Sequence, residues 1–439
     1  MASILMFVFF FCSLLLSLYM EISLLYPLLL GLAGFVVLAF FRGHSLPSLF
    51  SMLLNGSMQS LLVIRIFVLI GIITAVWRAC GTIPFIVYYG IAYLSEQYFI
   101  LSAFLLSSIM SILLGTSFGT VGTMGVILMV LAKSGHVDVN VAAGAIIAGA
   151  YFGDRCSPMS SSANLVAVLT QTRLYLNLEN MLKTSVLPFL LTCGGYAFFS
   201  LIHPLIGGNS PIIAAIPHSF DLNPVVLVPA VLILALAAVR VDVKISMGLS
   251  SLAGIAIALF IQKVSLSDLM GYIFTGYHLP QPGPLSDVIQ GGGFLSMLQV
   301  SLIVLISSAY SGLFAGTGLL RDIEQIYEQI SRKAGIYIGT VITSFVTSAF
   351  ACNQTLAVML THQLAQKTYE KKSLNRYRLA LDLENTVIVI SPLIPWNIAG
   401  AVPAAVLSAD SGFIPYALYL FFVPLTYFFT RKTPIKEET

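Results

Sequence analysis

Charge is what this sequence has least of. Asp, Glu, Lys and Arg together make up 9% of its 439 residues, where a soluble domain carries roughly a quarter. With 58% hydrophobic residues and a mean hydropathy of +0.95, that scarcity excludes a water-soluble domain and leaves an integral membrane protein. Long basic runs are missing too, and the net charge is only +3, so nucleic acid is not an expected partner. The five cysteines, Cys12, Cys80, Cys156, Cys193 and Cys352, form no CxxC or other close pair, which speaks against a disulfide framework or a thiolate metal cluster. His136, His203, His218 and His278 fall in loops, and no span is expected to hold a histidine, so neither a proton-relay imidazole nor an intramembrane protease base is indicated. Gly115-Thr-Ser-Phe-Gly119 satisfies G-x-S-x-G, but that elbow needs a strand, a turn and a helix in an α/β sheet, and no such pattern is present. The chain is expected to be a non-enzyme without a cofactor.

What is present is apolar length. A helix needs about 20 apolar residues to span a bilayer, and candidate spans are 3–20, 22–41, 61–79, 183–202, 222–239, 244–262, 294–312 and 413–430. The first run has no basic n-region and no small-residue cleavage site, so it reads as a retained span rather than a signal peptide. Four further stretches are apolar but broken: 98–133 at Gly115–Thr120, 140–170 at Asp154–Pro158, 337–367 at Cys352–Gln354, and 378–408 at Ser391–Asn397. Segments 84–95 and 321–332 read as helices lying along the membrane interface.

The chain then repeats itself. A shift of 237 residues superimposes Pro47 on Pro284, Gly56 on Gly293, Gly81 on Gly318, Ser107 on Ser344, Ser111 on Ser348 and Pro158 on Pro395. Each match is weak alone, yet one gapless offset aligns both pairs of breaks: Thr116 meets Asn353, and Asp154 meets Ser391. The expected halves are 1–202 and 222–430. The first has scaffold spans 1–97 and transport elements 98–170; the second has scaffold spans 222–336 and transport elements 337–408. The segment 203–221 is an extracytoplasmic linker and 431–439 a cytoplasmic tail. If 98–133 and 337–367 are re-entrant hairpins, each half makes five crossings, and the halves must be inverted. With the N-terminus inside, 16 of the 21 Lys and Arg residues fall on the cytoplasmic side, as the positive-inside rule requires. Arg78, Lys133 and Lys263 fall on the other side, and Arg65 and Arg155 at membrane depth. The expected architecture is an all-α polytopic membrane protein of inverted five-crossing repeats, with two re-entrant hairpins and two broken helices. Both termini are cytoplasmic, and the chain crosses the plasma membrane many times.

Backbone leaves helical geometry inside a bilayer only where protein buries it or it lines a cavity. Four such breaks are therefore expected to converge on one midplane site, as in inverted-repeat transporters. Unwound carbonyls and hydroxyls suit a hard cation such as Na⁺, and the candidate ligands are Thr116, Ser117, Asp154, Ser157, Asn353 and Ser391. Candidate substrate contacts are Thr120, Arg155, Gln354, Thr355, Glu384 and Asn397. Asp154 leads, because a carboxylate at this depth is costly unless paired or bound and could exchange Na⁺ for a proton. Arg155 has two readings, a clamp on a substrate carboxylate or a counter-charge to Asp154. Asp382, close to a basic loop, reads as its cap, and Arg65 as a packing or snorkelling residue. The recurrence of Gly115, Gly119, Gly122 and Gly125 also fits close helix packing.

Gly115-Thr-Ser-Phe-Gly-Thr120, Phe152-Gly-Asp-Arg-Cys-Ser-Pro158, Cys352-Asn-Gln354 and Ser391-Pro-Leu-Ile-Pro-Trp-Asn397 together resemble the signatures of the NhaC family of Na⁺/H⁺ antiporters, in order and across nearly the whole chain. The resemblance implies Na⁺ and H⁺ as exchanged ions, a scaffold domain and a mobile transport domain with opposed hairpins, a homodimer, and an elevator-type motion. Malate/lactate exchangers and suspected amino-acid carriers occur in the same family. Many members read Asp-His-Cys-Ser-Pro-x-Ser-Asp and Glu-Asp where this chain has Arg155, Ser161 and Glu384-Asn385. The two absent carboxylates favour a second reading beside Na⁺/H⁺ antiport: a Na⁺- or H⁺-coupled carrier of a carboxylate-bearing organic or amino acid.

Overall fold

The computed structural model describes the chain apart from residues 1, 21, 24, 94–95, 206–210, 240, 280–283, 318–332, 334, 432–433 and 437–439. Among the described residues there is no strand, only one isolated antiparallel bridge between Tyr277 and Gly291. The first half comprises α1 (Ala2–Tyr19), α2 (Leu25–Phe41), α3 (Leu46–Gln59), α4 (Leu61–Ala79), α5 (Thr82–Tyr93), α6 (Phe99–Leu114), α7 (Ser117–Thr120), α8 (Val126–Ser134), α9 (Val139–Cys156), α10 (Ser161–Thr170) and α11 (Leu174–Ile202). A π-helical turn, Val121–Gly125, joins α7 to α8. After α12 (Pro211–Ser219) come α13 (Val228–Ala238), α14 (Val243–Phe260), α15 (Leu266–Thr275), α16 (Pro284–Ile289), α17 (Leu298–Thr317), α18 (Ile336–Ala351), α19 (Gln354–Lys371), α20 (Arg376–Glu384), α21 (Val387–Ile390), α22 (Ile398–Val406) and α23 (Leu418–Thr430).

Among the described residues, four helical segments are long and apolar enough to cross a membrane: Ser117–Ser134, Leu174–Ile202, Val243–Phe260 and Leu295–Phe314. Two more qualify as bent pairs, Ile64–Ala79 with Thr82–Gly90 at 68° and Arg376–Leu393 with Ile398–Val406 at 52°. The outer helices present large exposed apolar side chains, such as Leu190 and Phe198 on α11 and Leu252 and Phe260 on α14. With no water in the hydrocarbon layer, this face suits lipid. By contrast α9 is buried from Val141 to Cys156 on every side, as expected of a central helix that is apolar all round.

Small residues set the closest contacts. A Cβ at Gly149 would lie 2.5 Å from the Phe104 carbonyl oxygen, and one at Gly153 only 2.1 Å from the Ser111 carbonyl carbon. The spacing of four places both glycines on the face of α9 that meets α6, the small-xxx-small arrangement of membrane helices. The same device joins the two halves elsewhere, where Gly56 of α3 crosses Gly312 of α17 and a Cβ on Gly312 would sit 2.0 Å from the Met52 carbonyl oxygen.

The 237-residue offset recurs in the backbone. Helix α6, residues 99–114, maps onto α18, residues 336–351. Each ends in a left-handed residue, Gly115 at φ 66°, ψ 24° and Cys352 at φ 54°, ψ 3°. Each is followed by an extended N-cap, Thr116 at φ −149°, ψ 129° and Asn353 at φ −143°, ψ 130°. The later breaks match as well, with extended Ser157 facing Ile394 and N-cap Ser160 facing Asn397. The left-handed residues His136 and Gln171 have Ser373 and Ser408 as counterparts.

Some expectations need correction. The break expected at Asp154–Pro158 opens later, since α9 continues to Cys156 and only Ser157 leaves helical geometry. In the second half, Ser391 remains in a helical turn and the extended residue is Ile394; an additional irregularity falls at Thr386, φ −125°, ψ −82°. Helix α5 bends away from α4 as an interfacial segment would, yet most of its first half is buried in protein. Segment 321–332 lies outside the described residues. His218 lies in α12 rather than a loop. His362, a histidine outside the expected loops, is buried within α19, which is not among the helices long and apolar enough to cross a membrane. That helix is polar in its second half but continues to Lys371, so the imidazole is covered by neighbours that a hydropathy reading does not reveal.

Candidate functional site

The site begins with the two breaks of the first half. Thr116 caps α7 with its side chain, accepting from the Gly119 amide, and so directs Ser117 inward at the first helical position. Asp154 stands in the last turn of α9, 5% exposed. Ser117 Oγ donates to Asp154 Oδ2 at 3.2 Å, which joins the two breaks through their most polar side chains. The Asp154 carbonyl, an orphan acceptor of the helix end, is taken up by the hydroxyls of Ser160 and Ser162, the latter at 2.8 Å. Ser157 Oγ donates to the Ile112 carbonyl at 2.7 Å, tying this break to α6. Thr120 is buried and spends its hydroxyl on the Thr116 carbonyl at 2.8 Å.

The second half builds a matching joint from neutral groups. The Ile398 amide donates to the Cys352 carbonyl at 2.9 Å, so its two breaks also touch. Asn397 Nδ2 donates to the Ser348 carbonyl at 2.7 Å, while the Ser348 and Ser391 hydroxyls are 2.9 Å apart. Gln354 Nε2 reaches the Ile388 carbonyl at 3.0 Å. Asn353 caps α19 by accepting from the Thr355 amide at 2.8 Å, and the Thr355 side chain is exposed, away from the others. Trp396 Nε1 donates to the Ala349 carbonyl at 2.7 Å, a wall of the break. The halves meet where Tyr151, one turn before Asp154, donates its hydroxyl to the Ala399 carbonyl at 2.7 Å.

Arg155 finds its oxygen hydrogen-bond acceptors on helices other than its own. It is fully buried and faces away from Asp154, donating to Ser185 and Asn385, to Tyr419 Oη at 2.9 Å and to Thr184 Oγ1 at 3.0 Å. The reason is helical geometry: consecutive residues project about 100° apart, so a side chain next to Asp154 points at a different neighbour. Arg155 thus pins α9 to α11, α20 and α23. Glu384 is fully buried, and neither carboxylate oxygen has a hydrogen-bond partner among the described residues; both Arg155 and Asp154 lie within its electrostatic reach. Asp382 is also buried but paired, with Arg431 at 2.5 Å and Tyr427 Oη at 2.9 Å. Arg65 is exposed and takes no part.

Sequence reading missed Tyr151, Ser160 and Ser162, and it singled out Asn385 only as the place of an absent carboxylate. Tyr151 had a signal in its position three residues before Asp154, on the same helix face. Among the described residues no three His, Cys, Asp or Glu side chains gather, so a cation here would be held by hydroxyls, carbonyls and one carboxylate, the donor set of a hard alkali ion.

Comparison with known proteins decides the family. The model of the Na⁺/H⁺ antiporter family matches residues 2–162 and 149–430. The chain belongs to the Na⁺/H⁺ antiporter family. It is similar to the Na(+)/H(+) antiporter NhaC of Bacillus subtilis, 28% identical over 408 residues, covering 91% of this chain and 90% of that protein. The Malate-2H(+)/Na(+)-lactate antiporter of the same organism is 26% identical over 427 residues, covering 94% and 90%. The arginine/ornithine antiporter ArcD of Halobacterium salinarum is 26% identical over 401 residues, covering 89% and 82%. Family membership makes the chain a secondary active antiporter in a membrane, and the two joined pairs of breaks lie within the matched residues.

Proposed function

We propose that the chain exchanges Na⁺ for H⁺ at Asp154. The observation that carries this reading is a buried carboxylate at a helix break, held by one neutral hydroxyl, Ser117, and by no cation among the described residues. Such a group is stabilised by binding either Na⁺ or a proton. Occupancy by one excludes the other, and that competition couples their movements in opposite directions. Ser117, Thr116, Ser157, Asn353 and Ser391 supply the neutral oxygens around the joint. Matching torsions at the 237-residue offset support an inverted repeat, with 98–170 and 337–408 as a body that moves against the scaffold in an elevator-type motion. The Lys and Arg distribution supports cytoplasmic termini in a plasma-membrane protein, and the family resemblance supports a homodimer.

The test is flux. In proteoliposomes loaded with a pH-sensitive dye, an imposed Na⁺ gradient should move protons in the wild type, and Asp154→Asn should reduce that to the level of empty vesicles. Absence of proton movement in the wild type, or full retention of exchange in Asp154→Asn, would overturn the assignment.

A second reading, carriage of a carboxylate-bearing acid coupled to Na⁺ or H⁺, has support from Asn385 and Ser161, which stand where the family resemblance implies carboxylates. It does not draw support from Arg155, whose Nη1 and Nη2 donate to Ser185, Tyr419, Thr184 and Asn385. Counterflow of labelled lactate or malate would establish it, and its absence would reject it.

A further inference from the structure

Three residues before Asp154, on the same face of α9, stands Tyr151. Its side chain is fully buried. Its hydroxyl lies within the electrostatic reach of Asp154 and within reach of the Ser117 hydroxyl, and Ser117 in turn donates to Asp154 Oδ2 at 3.2 Å. A carboxylate, an alcohol and a phenol are thus gathered at the end of α9.

A proline decides where the phenolic hydrogen goes. Ala399 stands in the first turn of α22, where an α-helix would bring the amide of the residue four places on to its carbonyl. That residue is Pro403, inside the helix and without an N–H. Tyr151 supplies the missing donor from the other half of the chain, with Oη 2.7 Å from the Ala399 oxygen. A tyrosine hydroxyl has one hydrogen and lone pairs that accept. With the hydrogen committed to Ala399, any further partner of Oη has to be a donor or a cation. Na⁺ and H⁺ make different demands on such an oxygen. A proton is held by a covalent bond to one carboxylate oxygen and needs one acceptor beyond it, which Ser117 Oγ can be. Na⁺, a hard cation, is held by a shell of several oxygens, so each neutral oxygen counts for it and not for the proton. A cation on Oη would also polarise the O–H and strengthen its bond to Ala399, which ties occupancy of the joint to the contact between the halves.

We propose, resting on the reading of Asp154 as the exchange site, that Tyr151 Oη is an oxygen ligand for Na⁺ at that joint and sets its preference for Na⁺ over H⁺.

Thermal unfolding of the full-length protein in detergent, with NaCl titrated against choline chloride at several pH values, tests this. A ligand that binds the folded state raises its stability with concentration, and the pH dependence of the apparent Na⁺ affinity reports how tightly the proton competes. Tyr151→Phe removes only the oxygen and should weaken Na⁺ by about tenfold, the loss expected for one interaction with a charged group. The pH at which the proton halves the apparent Na⁺ affinity should stay at its wild-type value. Pro403→Ala gives the Ala399 carbonyl a helical donor of its own. The double variant Tyr151→Phe/Pro403→Ala should therefore regain unfolding temperature without regaining Na⁺ affinity, and it keeps the test decidable if Tyr151→Phe alone does not fold. Wild-type Na⁺ affinity in Tyr151→Phe, an equal loss of Na⁺ and proton affinity, or recovery of Na⁺ affinity in the double variant would overturn the proposal. Asp154→Asn separates the two levels. If it keeps the Na⁺ response, exchange at Asp154 falls and Tyr151 falls with it; if it loses the response while Tyr151→Phe keeps it, only the role of Tyr151 falls.

Discussion

Arg155 shows how a charge can be committed at the level of a single residue. Its guanidinium is sealed among Ser185, Thr184, Asn385 and Tyr419, all neutral acceptors contributed by other helices. Arg155→Gln would leave several buried acceptors unpartnered, each costing about 1–3 kcal/mol. The expected outcome is a marked drop in unfolding temperature, with the apparent Na⁺ affinity of the folded fraction unchanged. A variant of normal stability that had lost Na⁺ binding would instead put Arg155 at the cargo. At this scale Asp154 and Ser117 were legible, because a carboxylate and a hydroxyl inside broken apolar stretches have few other reasons to be there. The direction of Arg155 was not legible: adjacency in sequence suggests a pair with Asp154, and the rotation of the helix separates them. His362 was hidden for a related reason, since its burial depends on what packs over α19.

The proposed elevator motion is testable at the level of elements. Helix α4 of the proposed scaffold faces α7 of the proposed transport elements through Phe67 and Phe118, whose ring centroids are 6.2 Å apart. Phe35 of α2 and Phe314 of α17 are 5.0 Å apart, and both lie in the proposed scaffold. In a background without the five free cysteines, cross-linking Phe67→Cys to Phe118→Cys should abolish exchange, and reduction should restore it. Cross-linking Phe35→Cys to Phe314→Cys should leave exchange intact. Full activity of the first cross-linked pair would rule out sliding between these bodies. Glycine, proline and hydroxyl clusters located all four breaks in the sequence to within a few residues. They did not reveal the end of α9 at Cys156, because Asp154 and Arg155 each find partners while still helical. Nor did they reveal the irregularity at Thr386, which has neither glycine nor proline to announce it. The boundaries depend on which carbonyls find donors, such as the Ser160 and Ser162 hydroxyls on Asp154, and that is tertiary information.

Across the whole molecule, the two halves share a backbone and divide the chemistry. At the joint, Asp154 in the first half has Ser391 as its counterpart in the second, so one half supplies a carboxylate and the other hydroxyls and amides. Offset matching was readable from residue spacing because left-handed turns and caps constrain residue type; the pairing of the halves through Tyr151 and Ala399 was not, since the acceptor is a backbone carbonyl that any residue could provide.

The confinement of Arg155 has a consequence for how the cell's membrane potential acts on this protein. A guanidinium bonded to neutral hydroxyls and an amide keeps its charge, and on the proposed exchange of one Na⁺ for one proton at Asp154 the site carries the same net charge in both directions. One uncompensated charge crossing the bilayer would feel about 2.3 kcal/mol per 100 mV, enough to change rates severalfold. Exchange should therefore proceed at nearly the same rate whether vesicles are clamped inside-negative, inside-positive or at zero potential. A strong dependence on the clamp would mean that a second group, with Glu384 the nearest buried candidate, also changes its charge on each turn.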